Sequence, residues 1–293
     1  MKKMFVKKIK INDEEYPESL RNISWPPEQL YVLGNEKLLK EKCISIIGSR
    51  VCTEKGMEIA SKFANTLSKA GLTIVSGMAK GIDTAAHVGT LNAKGKTIAV
   101  LGAGFNHIFP PENNDLFKEI INNGGAIISE YEENIEISPK HFVERNRIVS
   151  GLSEGVFIVE AKRRSGTSIT ADFAKRQKKR IFCLAHGIEE KEGVGTNRLI
   201  KNGAKLVTCP EDILDELKLN VETTKQKIKT QETRIINVKE EYLPVYRFIK
   251  ETPINIDEIC KKSKLDIGNI NYILTMLELE GLVKQLPGKY FIK

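Results

Sequence analysis

Residues 145–180 read RNRIVSGLSEGVFIVEAKRRSGTSITADFAKRQKKR. The run from Val156 to Glu160 is continuously apolar up to its last residue, which predicts a strand covered on both faces rather than one alternating between core and water. A turn of small residues, Ser165-Gly166-Thr167-Ser168, follows it, and the spacing then predicts a helix over 168–179. A strand that enters a helix through a Gly/Ser/Thr turn presents backbone N–H groups at the helix start, a ready seat for an anion. Ten residues of the stretch are cationic and three are acidic. Lys162, Arg163 and Arg164 sit directly before the turn, where guanidinium forks match phosphate oxygens. The stretch is therefore one strand–helix unit of an α/β fold, with a polyanion as its expected partner.

The same alternation extends in both directions. Apolar runs at Cys43–Gly48, Leu72–Ser76, Thr97–Leu101, Ala126–Ser129, Val156–Glu160, Ile181–Leu184 and Lys205–Val207 predict strands. Helical segments near 53–70, 83–94, 113–123, 140–150, 168–179 and 195–202 lie between them. This pattern implies a doubly wound, mostly parallel α/β sheet. Ligands of such sheets bind beyond the carboxyl ends of the strands. The polar, glycine-rich turns fall there: Gly48-Ser49-Arg50, Ser76-Gly77-Met78-Ala79-Lys80-Gly81, Gly102-Ala103-Gly104 and Ser165-Gly166-Thr167.

Length and composition narrow the classes. A chain of 293 residues buries a substantial core and predicts two domains. No apolar run approaches the roughly 20 residues of a membrane span. The basic N-terminus lacks the apolar segment of a secretory signal, and the five cysteines show no CxxC spacing, so a cytoplasmic protein with reduced thiols at Cys43, Cys183 and Cys209 is expected. Neither a Walker loop nor the full dinucleotide fingerprint is present, and no zinc signature, so no cofactor and no metal is expected. The net charge is +8, but segment 160–180 alone carries eight basic and two acidic residues. That concentration beside an anion-type turn favours binding over a merely solvated face.

Four segments follow: a basic N-terminal arm over 1–11, expected to be a disordered end, with an extra DNA-contacting arm as the alternative; an α/β domain over 12–217; a polar linker over 218–240 rich in Lys, Thr, Gln and Glu; and a module over 241–293. In the last, helices at Tyr242–Glu251, Ile256–Ser263 and Gly268–Glu280 precede a hairpin at Leu282–Lys293, a small winged-helix domain. The expected recognition helix, Gly268–Glu280, has no Lys or Arg. A reader of duplex sequence places cations and base-contacting polar groups there. The module is therefore expected to bind protein or to pack on the main domain.

The most specific run is Ser76-Gly-Met-Ala-Lys-Gly-Ile-Asp-Thr-Ala-Ala-His87. Asp83 is placed to start a helix, and His87 lies one turn on, where it can face Asp83. With this run, Tyr16-Pro17, Leu30-Tyr-Val-Leu-Gly34, Ile47-Gly-Ser-Arg50, Pro110-Pro-Glu-Asn113, Arg145-Asn-Arg147, Val159-Glu-Ala161 and Ser165-Gly-Thr-Ser-Ile-Thr170, the chain resembles the DNA-processing protein A family, also called Smf, over residues 12–215. The resemblance implies an extended Rossmann-like domain that binds single-stranded DNA without catalysis. It implies loading of the RecA recombinase in natural transformation, and a homodimer. It places Arg50 on DNA phosphates, Ser76, Gly77, Lys80 and Gly81 along the pocket, Arg145 and Arg147 at its flanks, and Ser165, Gly166 and Thr167 as donors, with Lys162, Arg163 and Arg164 adding charge.

Arg147, inside a helix, has a competing reading as the partner of a structural carboxylate such as Glu160. Lys175–Arg180, at a helix end, can simply complement the macrodipole. Phe142 is the main stacking candidate, with Phe105 a second. The rival function class is a nucleotide-binding enzyme that hydrolyses N-glycosidic bonds, with Glu130 or Glu160 acting beside His87.

Overall fold

A computed structural model of the protein describes residues 5–163, 165–219, 240–249, 254–263, 265–280, 282–286 and 290–292. The chain divides into two units, Met1–Lys225 and Gln226–Lys293. The expected linker at 218–240 falls almost wholly outside the described residues.

The first unit is built on a nine-stranded sheet. Its strands are β1 (Val6–Lys10), β2 (Gln29–Gly34), β3 (Cys43–Ile47), β4 (Thr73–Ser76), β5 (Thr97–Leu101), β6 (Ala126–Ser129), β7 (Gly155–Ile158), β8 (Arg180–Leu184) and β9 (Lys205–Val207). They lie in the order β1-β2-β6-β5-β4-β3-β7-β8-β9. Strands β3 to β9 pair in parallel, while β2 runs antiparallel to β6 and β1 antiparallel to β2. The helices are α1 (Glu18–Arg21), α2 (Glu54–Lys69), α3 (Ile82–Asn92), α4 (Asn114–Asn122), α5 (Pro139–Leu152), α6 (Gly166–Arg176), α7 (Val194–Lys201) and α8 (Pro210–Glu216).

The sheet is covered on both sides, which is why β3 to β7 read as unbroken apolar runs. On one side Val75, Val100, Val156 and Ile158 meet Ile148, Val149 and Leu152 of α5 and Ala171 and Ala174 of α6. On the other, Ile44, Ile46, Ile74 and Phe157 meet Ala60, Phe63, Ala64 and Leu67 of α2. Those four positions recur at helical spacing, so α2 buries one stripe. Phe63 stacks on Phe157 at 4.5 Å between ring centroids. Burying one such side chain contributes roughly 1.5–3 kcal/mol. Among the described residues no helix is long and apolar enough to cross a membrane.

The basic N-terminal arm is corrected. Residues 6–10 form an edge strand, with Ile9 buried in the core. Two of its cations are used locally: Lys7 pairs with Glu15 and Glu36, and Lys8 lies 5.4 Å from the centre of the Tyr31 ring. The five cysteines are free; Cys43 and Cys183 are buried as expected, but Cys209 is only half-buried.

The second unit has its own core. Helices α9 (Leu243–Tyr246), α10 (Ile256–Ser263) and α11 (Ile267–Leu279) enclose Val245, Ile259, Ile270, Leu274 and Leu277. Strands β10 (Ile254–Asn255), β11 (Lys284–Leu286) and β12 (Tyr290–Ile292) form a sheet in the order β10-β12-β11. The Asp266 carboxylate accepts from the N–H groups of Gly268 and Asn269, which fixes the start of α11.

Candidate nucleic-acid interface

The parallel strands reverse their order between β3 and β7, the switch point at which the loops on either side diverge and leave a crevice. A pocket of about 350 Å³ opens there. The loop after β3 contributes Gly48, Ser49 and Arg50; the loop after β4 contributes Gly77 and Ala79; α5 contributes Arg145, Asn146 and Val149; the segment after β7 contributes Lys162, Ser165, Gly166 and Thr167.

The loop after β4 is held rigidly. Met78 and Gly81 both adopt positive φ, 59° and 79°. A non-glycine residue keeps such a backbone only where its surroundings impose it. Here the Asp83 carboxylate accepts from Gly77 N–H at 3.0 Å, Asn113 Nδ2 donates to Met78 O at 2.8 Å, and Arg145 donates to Gly77 O. A side chain at Gly77 would run into Arg145 and Asp83.

Arg145 and Asp83 form the buried floor. Arg145 is 3% exposed and donates to the carbonyls of Gly77 and Val100. Burial pushes its guanidinium down to about 10, while Asp83 works against that shift. Burial likewise raises the Asp83 carboxyl above its ordinary value, opposed by Arg145. Arg145 therefore lines the pocket as part of its floor, with Nη1 turned to backbone carbonyls and Nε buried without a partner among the described residues, and is not the free phosphate clamp expected at the flank.

Arg50 has the opposite character. It is exposed on the rim, and among the described residues it has no carboxylate partner. Its guanidinium lies 5.6 Å from the centre of the Phe142 ring, and Phe109 packs on the same ring at 5.7 Å. Lys162 is exposed at the facing wall. Between them lies the start of α6. No side chain caps this helix, and open space surrounds Gly166. The buried Ser165 hydroxyl has no hydrogen-bond partner among the described residues.

The neighbouring helix start is closed. The Glu160 carboxylate accepts from Thr53 N–H at 3.1 Å and Thr53 Oγ1 at 2.5 Å, at the N-terminus of α2. Gly56 makes room for it, since a Cβ there would strike the carboxylate. In dinucleotide-binding domains the helix after the first strand receives the pyrophosphate. In this chain an internal carboxylate fills that seat, which agrees with the absence of the dinucleotide fingerprint.

Other expectations are corrected. Arg147 is 1% exposed, forms an ion pair with Glu130, donates to Trp25 O, and lies 4.1 Å from the Trp25 ring centre. It is a structural arginine, its carboxylate being Glu130 rather than Glu160. Ser76 is fully buried and donates to Ile46 O beneath the loop. Lys80 pairs with Glu112 outside the pocket. Gly81 shapes the turn, packed against Ser49 O and Cys52, and does not line the cavity. Arg163 is exposed but is not part of the pocket wall, and Arg164 lies outside the described residues. Phe105 is buried in the core beside α4.

His87 does not meet Asp83. Its Nδ1 pairs with Thr97 Oγ1 at 2.7 Å, and burial lowers its pKa to about 3, so it stays neutral. All three groups of the hydrolytic reading, His87, Glu130 and Glu160, thus serve the fold.

Asn146 escapes a reading of the sequence alone. It lines the pocket between Arg145, which forms the floor, and Arg147, which does not reach the pocket. The signal that could have found it is helical spacing: Asn146 follows Phe142 by four residues and precedes Val149 by three, on the side of α5 that also carries Arg145, whereas Arg147 turns to Glu130 and Trp25.

Comparison with known proteins follows the same division. The family model for DNA recombination-mediator protein A matches residues 7–218, and that for the DprA winged helix domain matches residues 231–289. Protein Smf of Synechocystis sp. is 33% identical, over 94% of this chain and 77% of the relative. The DNA processing protein DprA of Streptococcus pneumoniae is 41% identical, over 70% of this chain and 72% of the relative. The X-ray structure of DNA processing protein A from Streptococcus pneumoniae superposes with a TM-score of 0.69 at 39% identity, covering 72% of this chain and 74% of that one. A structure describing the single-stranded DNA binding mode of DNA processing protein A from Helicobacter pylori superposes with a TM-score of 0.65 at 31% identity, covering 72% of this chain and 95% of that one.

Proposed function

The chain belongs to the DNA recombination-mediator protein A family, and on that premise we propose that it binds single-stranded DNA in the crevice between β3 and β7. The observation that carries this reading is Arg50, an exposed guanidinium without a carboxylate partner among the described residues, set over an uncapped helix start. Arg50 and Lys162 attract the phosphates. The N–H groups of the first turn of α6 and the unsatisfied Ser165 hydroxyl fix one phosphate in place. Phe142 and the neighbouring, exposed Phe109 offer aromatic surface on which a base stacks, and such stacking tolerates any sequence. The geometry suits positioning and protection of a strand.

Catalysis is not part of this reading, because the candidate acid and base groups are held in ion pairs, caps and buried hydrogen bonds. The wider role follows from family membership: mediation of recombination in the cytoplasm, as in natural transformation, with transfer of the strand to the RecA recombinase, by a homodimer. The sheet leaves β9 as an open edge with Leu206 exposed, which suits association with a second copy.

Replacing Arg50 by Ala should weaken binding of single-stranded oligonucleotides of any sequence and reduce the salt dependence by about 0.7 in slope for each phosphate that is no longer neutralised. Fluorescence anisotropy at two salt concentrations, with single- and double-stranded probes, measures both. Unchanged affinity and slope would remove Arg50 from the site.

A further inference from the structure

The run Lys175–Arg180 is not absorbed by the crevice. Lys175, Lys178, Lys179 and Arg180 converge with Lys205 of β9 on a second cleft, of about 430 Å³, at the opposite ends of β8 and β9. Two carboxylates, Asp172 and Glu216, line it as well. Glu216 is shared by Arg180 and Lys205, while Lys175 and Lys178 have no ion-pair partner among the described residues.

The helix macrodipole accounts for Lys175 at the end of α6. It does not account for the turn residues beyond the helix, nor for Lys205, which arrives from another strand. Solvated lysines usually stand on convex surfaces; these surround a concavity, and Lys179 is half-buried in it. Five cations against two carboxylates leave the cleft with an excess of positive charge, and such an excess in a concave setting focuses the field and concentrates polyanions. The cleft begins where α6 ends, and α6 begins at the crevice, about 16 Å away at 1.5 Å per residue. A flexible phosphate chain leaving the crevice along α6 reaches the cleft within a few nucleotides.

We infer that the cleft formed by Lys175, Lys178, Lys179, Arg180 and Lys205 is a second phosphate-backbone site, which takes the continuation of the single strand held in the crevice. It rests on the single-strand reading above. The aromatic side chain at its wall, Phe182, is buried in the core and offers no face to a base, so the cleft grips the backbone through its cations and does not read bases.

The test uses the full chain, with Lys175→Ala and Lys178→Ala combined, and oligothymidylates of about 5 and about 25 nucleotides, lengths that bracket usual single-strand site sizes. The double variant should bind the short strand as the parent does. It should bind the long strand several-fold more weakly, with a salt slope shallower by about 0.7 for each phosphate that the cleft no longer neutralises. Unchanged affinity for the long strand overturns the inference and leaves the cleft to an acidic protein surface. Equal losses on both lengths overturn it too, since the lysines would then act on the crevice. Arg50→Ala, measured in parallel, reports on the crevice separately: it should lose affinity on both lengths, and its failure to do so counts against the primary reading alone.

Discussion

At the scale of single residues, the decisive distinction is between arginines that face water and arginines that face the protein. Arg50, Arg145 and Arg147 all stand in runs that carry the family resemblance, which gives each the same expected place at the pocket. Arg50 follows Gly48-Ser49 in a loop and projects over the pocket. Arg145 and Arg147 sit on α5, and their partners come from distant segments: Gly77 and Val100 for one, Glu130 and Trp25 for the other. Removing one member of a buried ion pair costs roughly 3–5 kcal/mol, because its partner is left uncompensated. Arg147→Ala should therefore lower unfolding stability by about 3 kcal/mol, the low end, since Glu130 keeps some solvent access. Urea unfolding measures the loss. The salt slope of DNA binding should not change at a temperature where the variant is folded; a slope reduced as in Arg50→Ala would mean that Arg147 touches phosphate after all.

At the scale of elements, the strands of the parallel sheet were legible because burial on both faces leaves only apolar residues tolerable. Predicted strands such as Thr97–Leu101 and Ala126–Ser129 match β5 and β6. Neither antiparallel strand is among those predicted, although Leu30–Leu33 of β2 form the same kind of continuous buried run; β1 is the strand whose composition hides it. In β1 the lysines mask the pattern: only Ile9 is buried, and the other positions are exposed or half-buried. An edge strand meets the core on one side only, so its composition approaches that of a loop. Ile9 nevertheless packs into the core, and β1 pairs with β2 along its length. Deleting residues 1–10 should thus cost at least about 2 kcal/mol of stability, the value of one buried aliphatic side chain, while DNA affinity of the folded protein stays the same. Thermal unfolding and anisotropy separate the two; a loss of affinity with no loss of stability would restore the DNA-contacting arm. The anion seat at α6 was likewise legible from its Gly/Ser/Thr turn. That the equivalent seat at α2 is filled by Glu160 was not, because the capping partners are joined only through the fold.

At the scale of the whole molecule, the described residues of the crevice and of the basic cleft all belong to the first unit. The second unit encloses its own core, and the exposed face of α11 presents Tyr272 and Leu279 without a Lys or Arg. Its contribution to holding a phosphate backbone is expected to be small. A fragment ending at residue 219 should bind single-stranded DNA within a few-fold of the full chain, while the fragment 241–293 should bind duplex DNA far more weakly than the full chain binds a single strand. Gel-shift titration of both fragments checks this. Tight duplex binding by the second fragment would make α11 a DNA reader despite its lack of cations.

The alternation of strands and helices, the glycine-rich turns at the strand ends, and the concentration of charge around residues 160–180 are written in the chain itself, because they depend on residue type and on spacing along it. The tertiary structure alone decided which charges remain available. It buried Arg145 and Arg147, paired Lys80, plugged the start of α2, separated His87 from Asp83, and split the basic stretch 145–180 between a crevice and a cleft at opposite strand ends. The physical reason is that a charge is neutralised by partners brought from far along the chain, and local sequence carries no record of who they are.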